Sequence, residues 1–286
     1  MNVMKKLATL FFAAVICICA GAQARLQTKK FRISDFPQKT MKVVLSGHEM
    51  LDAAFRQEIQ KVWNLSPYEF CTMKEFESYK KSPDFYFMIL TETKFRKDAA
   101  AGIITLTLYK GDKAAKSNVD GLYEVVSLPF CSTGTTDGRE ITFMPALITI
   151  FQNQIRRIMD RELNPSSGAT VGISKVLNKW TERVVIEKDD FAFEVGRSLK
   201  AIYAEENLDV SENSLTEKYL IERTPGYLVG YVISPEEGRG SATSYVMLIN
   251  ASTWELYYIR KRNASVKNPA GFDKVDTRFI FSHKAK

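Results

Sequence analysis

The chain has 286 residues, with 40 lysines and arginines against 33 acids, two histidines and four cysteines. Apolar residues at 45% and charged residues at 26% are the proportions of a folded protein with a core, which excludes a disordered or fibrous chain. A formal charge of +7 scattered among acids excludes a massed basic face, and two histidines leave little material for a metal centre or a histidine base.

Residues 1–24 read as a secretory leader. "MNVMKK" carries two lysines and no acid, "LATLFFAAVICICAGA" is an apolar run, and "AQA" stands before Arg25. That order predicts cleavage between Ala24 and Arg25 and a periplasmic or secreted destination. The run is shorter than the roughly 18–20 apolar residues of a membrane span. Bulky Ile16 and Ile18 precede Cys17 and Cys19, where attachment of a lipid demands a small residue. No later stretch is long and apolar enough to span a bilayer, so no transmembrane segment is expected after cleavage. The mature chain retains Cys71 and Cys131, a candidate disulfide in an oxidising compartment. Such a bond would close a loop of about 60 residues, worth about 4 kcal/mol in the chain-entropy model.

In chain order, "MKVVLS" (41–46) reads as a strand. Residues 47–64 then place Leu51, Ala54, Phe55, Ile59 and Val62 on one helical stripe. "PYEFC" (67–71) is a short strand, and "TMKE" (72–75) has the spacing of a capping box that opens a short helix. Three strands follow at 84–92, 102–111 and 123–130. In 144–163 Pro145 is expected in a first helical turn, with Ile148, Phe151, Ile155, Ile158 and Met159 on one face. "NPSSGATVG" (164–172) breaks the pattern and is taken as a linker or long loop between an α/β domain at 25–163 and an α+β domain at 173–286. Beyond it come a short helix from 173, a strand at 183–187, and helices at 193–206 and 211–222. Three strands at 226–234, 244–250 and 254–262 form an antiparallel meander. The expected class is α/β to α+β: an N-terminal sheet with packed helices, then a meander with helices on one face. No repeat of fixed period is visible.

The stretch "LPFCSTGTTDGR" (128–139) is the first place to look for chemistry. Cys131 and Arg139 are separated by seven residues rather than the five of a phosphatase thiolate loop, and no Gly-Lys-Ser/Thr ending makes a nucleotide phosphate loop. Ser132, Thr133, Asp137 and Arg139 are retained as a candidate site loop. Ser46, His48 and Asp52 contain the types of a nucleophile, base and orienter, but they sit at a strand-to-helix turn, where a serine more commonly caps. Glu187, Asp189, Asp190, Glu236 and Glu237 are carboxylates without a calcium-loop pattern. The basic run 260–268 beside Tyr257 and Tyr258 reads as a charged strand edge rather than a nucleic-acid surface. Trp63, Trp180 and Trp254 are dispersed, as core anchors are.

No catalytic, metal or cofactor constellation emerges. The sequence therefore points to an exported, noncatalytic binding or assembly protein of the cell envelope, whose partner is an envelope protein or an anionic envelope polymer and not nucleic acid. The alternative is a hydrolase using the loop 132–137 with a carboxylate or His48 as base.

Overall fold

A computed structural model describes residues 33–96, 98–99, 102–133, 138–163, 180–234 and 242–283. The leader, most of the expected helix from 173, the stretch 164–172 and the turn holding Glu236 and Glu237 lie outside them.

The first sheet is built from β1 (Thr40–Val44), β2 (Tyr68–Cys71), β3 (Phe85–Thr93), β4 (Ile103–Lys110) and β5 (Tyr123–Ser132). Their spatial order is β2-β1-β3-β4-β5. Strand β1 pairs in parallel with β2 and β3, while β3-β4 and β4-β5 are antiparallel. The parallel pairs need crossovers, supplied by α1 (Glu49–Val62) and α2 (Met73–Tyr79). Helix α1 buries Leu51, Phe55 and Ile59, three members of the expected stripe. Helix α2 opens with the full capping box: Glu75 N–H donates to Thr72 Oγ1, and Thr72 N–H donates to the Glu75 carboxylate.

The second sheet, of β6 (Arg183–Glu187), β7 (Leu208–Ser211), β8 (Tyr227–Ile233), β9 (Ala242–Asn250) and β10 (Leu256–Ala264), repeats this plan. Its order is β7-β6-β8-β9-β10, with β6 parallel to β7 and β8 and the rest antiparallel. Helices α4 (Arg197–Glu205) and α5 (Leu215–Glu222) make the crossovers. Each sheet is followed by a further helix, α3 (Arg139–Met159) after the first and α6 (Lys274–His283) after the second. The class is thus α/β to α+β, as two mixed five-stranded sheets with six α-helices among the described residues. The meander β8-β9-β10 is present, extended on one side by the parallel strands β6 and β7. The architecture is repeated although the sequence has no fixed period, because the loops between equivalent strands differ in length. The turn before each central strand keeps a trace of the repeat, Ser82-Pro83-Asp84-Phe85 in one unit and Thr224-Pro225-Gly226-Tyr227 in the other.

Helix α3 begins at Arg139, after Gly138 at φ 89°, a backbone angle that favours glycine. Pro145 therefore lies inside the helix and not in its first turn, because Phe143 and Met144 already belong to the buried face. The helix is buried on most sides, as expected of one held between layers. Phe143, Phe151 and Ile155 share one apolar cluster with Met88 and Leu106 of the first sheet and Val229, Tyr231 and Met247 of the second. Phe143 stacks on Tyr231 with ring centroids 4.3 Å apart. Strand β5, at the edge of the first sheet, is held to the centre of the second by the Tyr231 hydroxyl, which donates to the Phe130 carbonyl at 3.0 Å. A second sheet therefore covers the edge that Pro129 also occupies, a position where a proline costs no ladder bond.

Candidate functional site

Alternation along β4 sends Leu106 and Leu108 to the helix-covered face and Thr105, Thr107 and Tyr109 to the other. Neighbouring strands add hydroxyls to that second face. Thr105 Oγ1 lies 3.0 Å from Thr91 Oγ1 and 2.8 Å from Thr93 Oγ1, and Thr107 Oγ1 lies 3.0 Å from Ser127 Oγ. Thr105 also reaches Thr107 at 3.3 Å, which joins the five into one chain of hydroxyls across three strands. Elsewhere on the same face Phe87 and Ile89 pack with Phe76, Val119 and Leu122 in a separate apolar cluster. The hydroxyl-bearing part instead floors a cleft of about 260 Å³, walled by Phe95 and Pro129 and flanked by Tyr245 of β9 and Lys261 of β10. The cleft thus lies where the two units meet.

The internal repeat shows how unusual this floor is. Strand registers place Thr107 opposite Ile89 and Ser127, and Met247 opposite Tyr231 and Ile259. By that correspondence Thr91, Thr105, Thr107, Ser127 and Glu124 of the first unit occupy the positions of Ile233, Tyr245, Met247, Ile259 and Leu256 in the second. The second unit packs these five side chains into the shared core or against it. The first unit has put three threonines, a serine and a glutamate in their place, and four of these, Thr105, Thr107, Ser127 and Glu124, line open space.

Glu124 is half-buried at the Tyr109 end of the cleft. Burial raises its carboxyl above the ordinary range, and it accepts no hydrogen bond from the described residues. Tyr109 is buried beside it; desolvation and the Glu124 charge raise the phenol, although hydrogen bonds with Thr91 and Thr107 act the other way. At the other end the Lys261 ammonium lies 3.3 Å from the centroid of the Phe95 ring, and burial lowers its pKa against the pull of Asp98. Both Asp98 oxygens are engaged, one by the Thr243 hydroxyl at 2.9 Å and one by the Phe95 N–H at 3.0 Å. Thr105 and Tyr109 are four residues apart, so the two ends are about 14 Å apart along the strand. The result is an acceptor-rich slot, with spare oxygen lone pairs along its floor and a carboxylate at one end.

The residues singled out in the sequence lie elsewhere. Ser132 ends β5 and the Thr133 N–H donates to the Gly102 carbonyl at 3.1 Å, while Asp137 is outside the described residues. Arg139 is turned into the structure, its Nη1 and Nη2 each donating to an oxygen of buried Asp190 at 2.9 Å. Ser46, His48 and Asp52 form a capped turn. Asp52 accepts from the Ser46 N–H, the Ser46 hydroxyl and the Gly47 N–H, while His48 Nδ1 accepts from the Leu51 N–H. Serine bonds directly to aspartate there, so the imidazole is not the relay between them. Glu187 accepts from the Thr216 N–H and hydroxyl at the start of α5.

Cys71 and Cys131 are not bonded to each other. They lie on β2 and β5, opposite edges of one sheet, about 19 Å apart at four strand spacings. A disulfide requires Cα atoms within about 7 Å, so the expected staple is corrected. Trp63 and Trp180 are core residues, whereas Trp254 is partly exposed under the Arg223 guanidinium, 3.9 Å from its ring centroid. The basic run begins on β10, an edge strand, and continues past its end at Ala264; Arg260 is held there by Asp273 and Asp276.

Among the described residues no three of histidine, cysteine, aspartate and glutamate come together to hold a metal ion, and no helix is long and apolar enough to cross a membrane. Sequence reasoning passed over the cleft residues. Their one visible signal was the threonine at every second position of "ITLTLY", opposite the apolar face. Compared with protein-family models, characterised proteins and solved structures, the chain matches none.

Proposed function

We propose that this chain is a noncatalytic binding protein exported to the cell envelope, with the hydroxyl-floored cleft as its ligand site. The observation that carries the reading is the contrast between units: where one has three aliphatic residues, Met247, Ile259 and Leu256, the other has Thr107, Ser127 and Glu124, lining a cavity of about 260 Å³. The floor hydroxyls satisfy one another, but Glu124 accepts no hydrogen bond from the described residues, and a half-buried carboxylate at the end of an open polar slot costs stability that a ligand can relieve. The volume equals about nine waters' share of liquid, the scale of a small polar molecule. Export rests on the order of charge, apolar run and small residues before Arg25.

The hydrolase alternative has less behind it. His48 follows β1 and Ser132 ends β5, with β3 and β4 between them, about 14 Å at three strand spacings. That puts His48 beyond hydrogen-bond reach of Ser132 and leaves the alternative to a carboxylate base.

The test is a titration of isotope-labelled protein with a library of small polar compounds, read as amide shifts. Binding at the cleft moves amides of β4 and β5 and is lost when Thr107→Val and Ser127→Ala are combined, a change that adds no bulk and removes two hydroxyls. Hits whose shifts fall elsewhere, or survive that double substitution, overturn the reading.

A further inference from the structure

We infer that the cleft selects a ligand bearing a protonated amine, seated on the Glu124 carboxylate beside the Tyr109 ring with its polar body along the threonine floor. The inference rests on reading the cleft as the ligand site. Glu124 faces the cavity with no hydrogen-bond donor of the described chain on its oxygens, and no lysine or arginine contributes to its titration. Lys110, the residue after Tyr109 on β4, is held by Asp35 at 2.7 Å. In the second unit the matching residue is Leu256, so a charge is not demanded by the fold at this position. A half-buried carboxylate without a counter-ion is a cost that a ligand cation removes, and an aromatic face next to it adds to cation binding. The floor supplies the rest: each threonine or serine hydroxyl has two lone pairs and one proton, and the four contacts that join the five hydroxyls use only four of their ten lone pairs. Lone pairs are left for N–H and O–H donors of the ligand. Lys261 at the far end keeps a second cation away from that end and fixes the direction in which an amine-bearing molecule lies.

Protonated amines occur on amino sugars and on amino acids, and the experiment separates the two sources. Amide shifts are followed on titration with glucosamine, N-acetylglucosamine, glucose, 6-aminohexanoate and hexanoate. The expected result is that glucosamine or 6-aminohexanoate moves the amides of Glu124, Tyr109 and Thr107, at least about tenfold more tightly than its uncharged or acid-only counterpart. Glu124→Gln then removes the preference, while Glu205→Gln, the same change at an exposed carboxylate of α4, leaves it in place. Preference for glucosamine assigns the amino sugar, and preference for 6-aminohexanoate the amino acid. Cleft binding of glucose or N-acetylglucosamine as tight as that of glucosamine, unchanged in Glu124→Gln, refutes the amine inference and leaves the cleft a ligand site. Absence of shifts in the cleft with every probe refutes the amine inference, and only the wider library decides on the site itself.

Discussion

Arg139 at the start of α3 and Asp190 after β6 meet in a two-pronged ion pair, with both N–O distances 2.9 Å and Asp190 buried. The pair joins one unit to the other beneath Phe143 and Tyr231, whose ring centroids each lie 5.7 Å from the guanidinium carbon. Removing one member of a buried pair strands the other. Arg139→Met is expected to cost about 3 kcal/mol in urea unfolding. Adding Asp190→Leu should return much of that loss, because the stranded charge goes with it. A single substitution within about 0.5 kcal/mol of the parent would show that the pair is not buried in solution.

Glu124→Gln tests the cleft carboxylate through stability. Its folded pKa is raised by burial, so the folded state holds its proton more tightly than the unfolded chain. The stabilising contribution of protonation is complete below the unfolded value and is lost as pH rises through the folded one. The glutamine variant is therefore expected to melt higher than the parent at pH 7, with the two curves converging below pH 4. Equal melting temperatures across the range would remove the carboxylate from its half-buried setting.

Asp273 titrates in the opposite sense. Burial would raise it, but hydrogen bonds from Arg260 and from the N–H groups of Asp276 and Val275 bring it down to about 2. Its stabilising contribution is present above the unfolded value of 3.8 and lost as pH falls towards 2. Asp273→Asn should flatten the dependence of stability on pH between 4 and 2, with its cost fully expressed at pH 7.

Cys71 is buried, and desolvation together with nearby Glu75 pushes its thiol up to about 11. Alkylation at pH 8 is expected to be slow at this residue in the native protein and fast in urea. Because Cys71 and Cys131 occupy opposite sheet edges, melting temperatures with and without reductant should agree. A drop on reduction, with a mass change of two hydrogens, would contradict the sheet order.

Local signals in the sequence carried the elements. The Leu51, Phe55 and Ile59 stripe, the Thr72 to Glu75 box and the alternating strands of the meander all rest on neighbours within a few residues. Strand order is not local, and so two conclusions went astray. Counting the cysteines left after the leader pairs Cys71 with Cys131 without access to the three strands between them. The cleft is hidden from the sequence because Thr93, Thr107, Glu124 and Lys261 are gathered only by register and by contact between units. A general preference of proline for first turns points to Pro145 as a helix start, whereas burial of Phe143 and Met144 extends α3 upstream of it.

Helix α3 carries a consequence for the order in which the molecule assembles. One flank rests on strands made before it, and the other on Val229, Tyr231 and Met247, made some seventy residues later or more. A chain emerging amino end first must hold this greasy rod half-dressed until the later sheet arrives. Formation of the native state is therefore tied to distant pairings, which are slow, and a ribosome stalled soon after residue 163 would display a sticky nascent product to whatever escorts it.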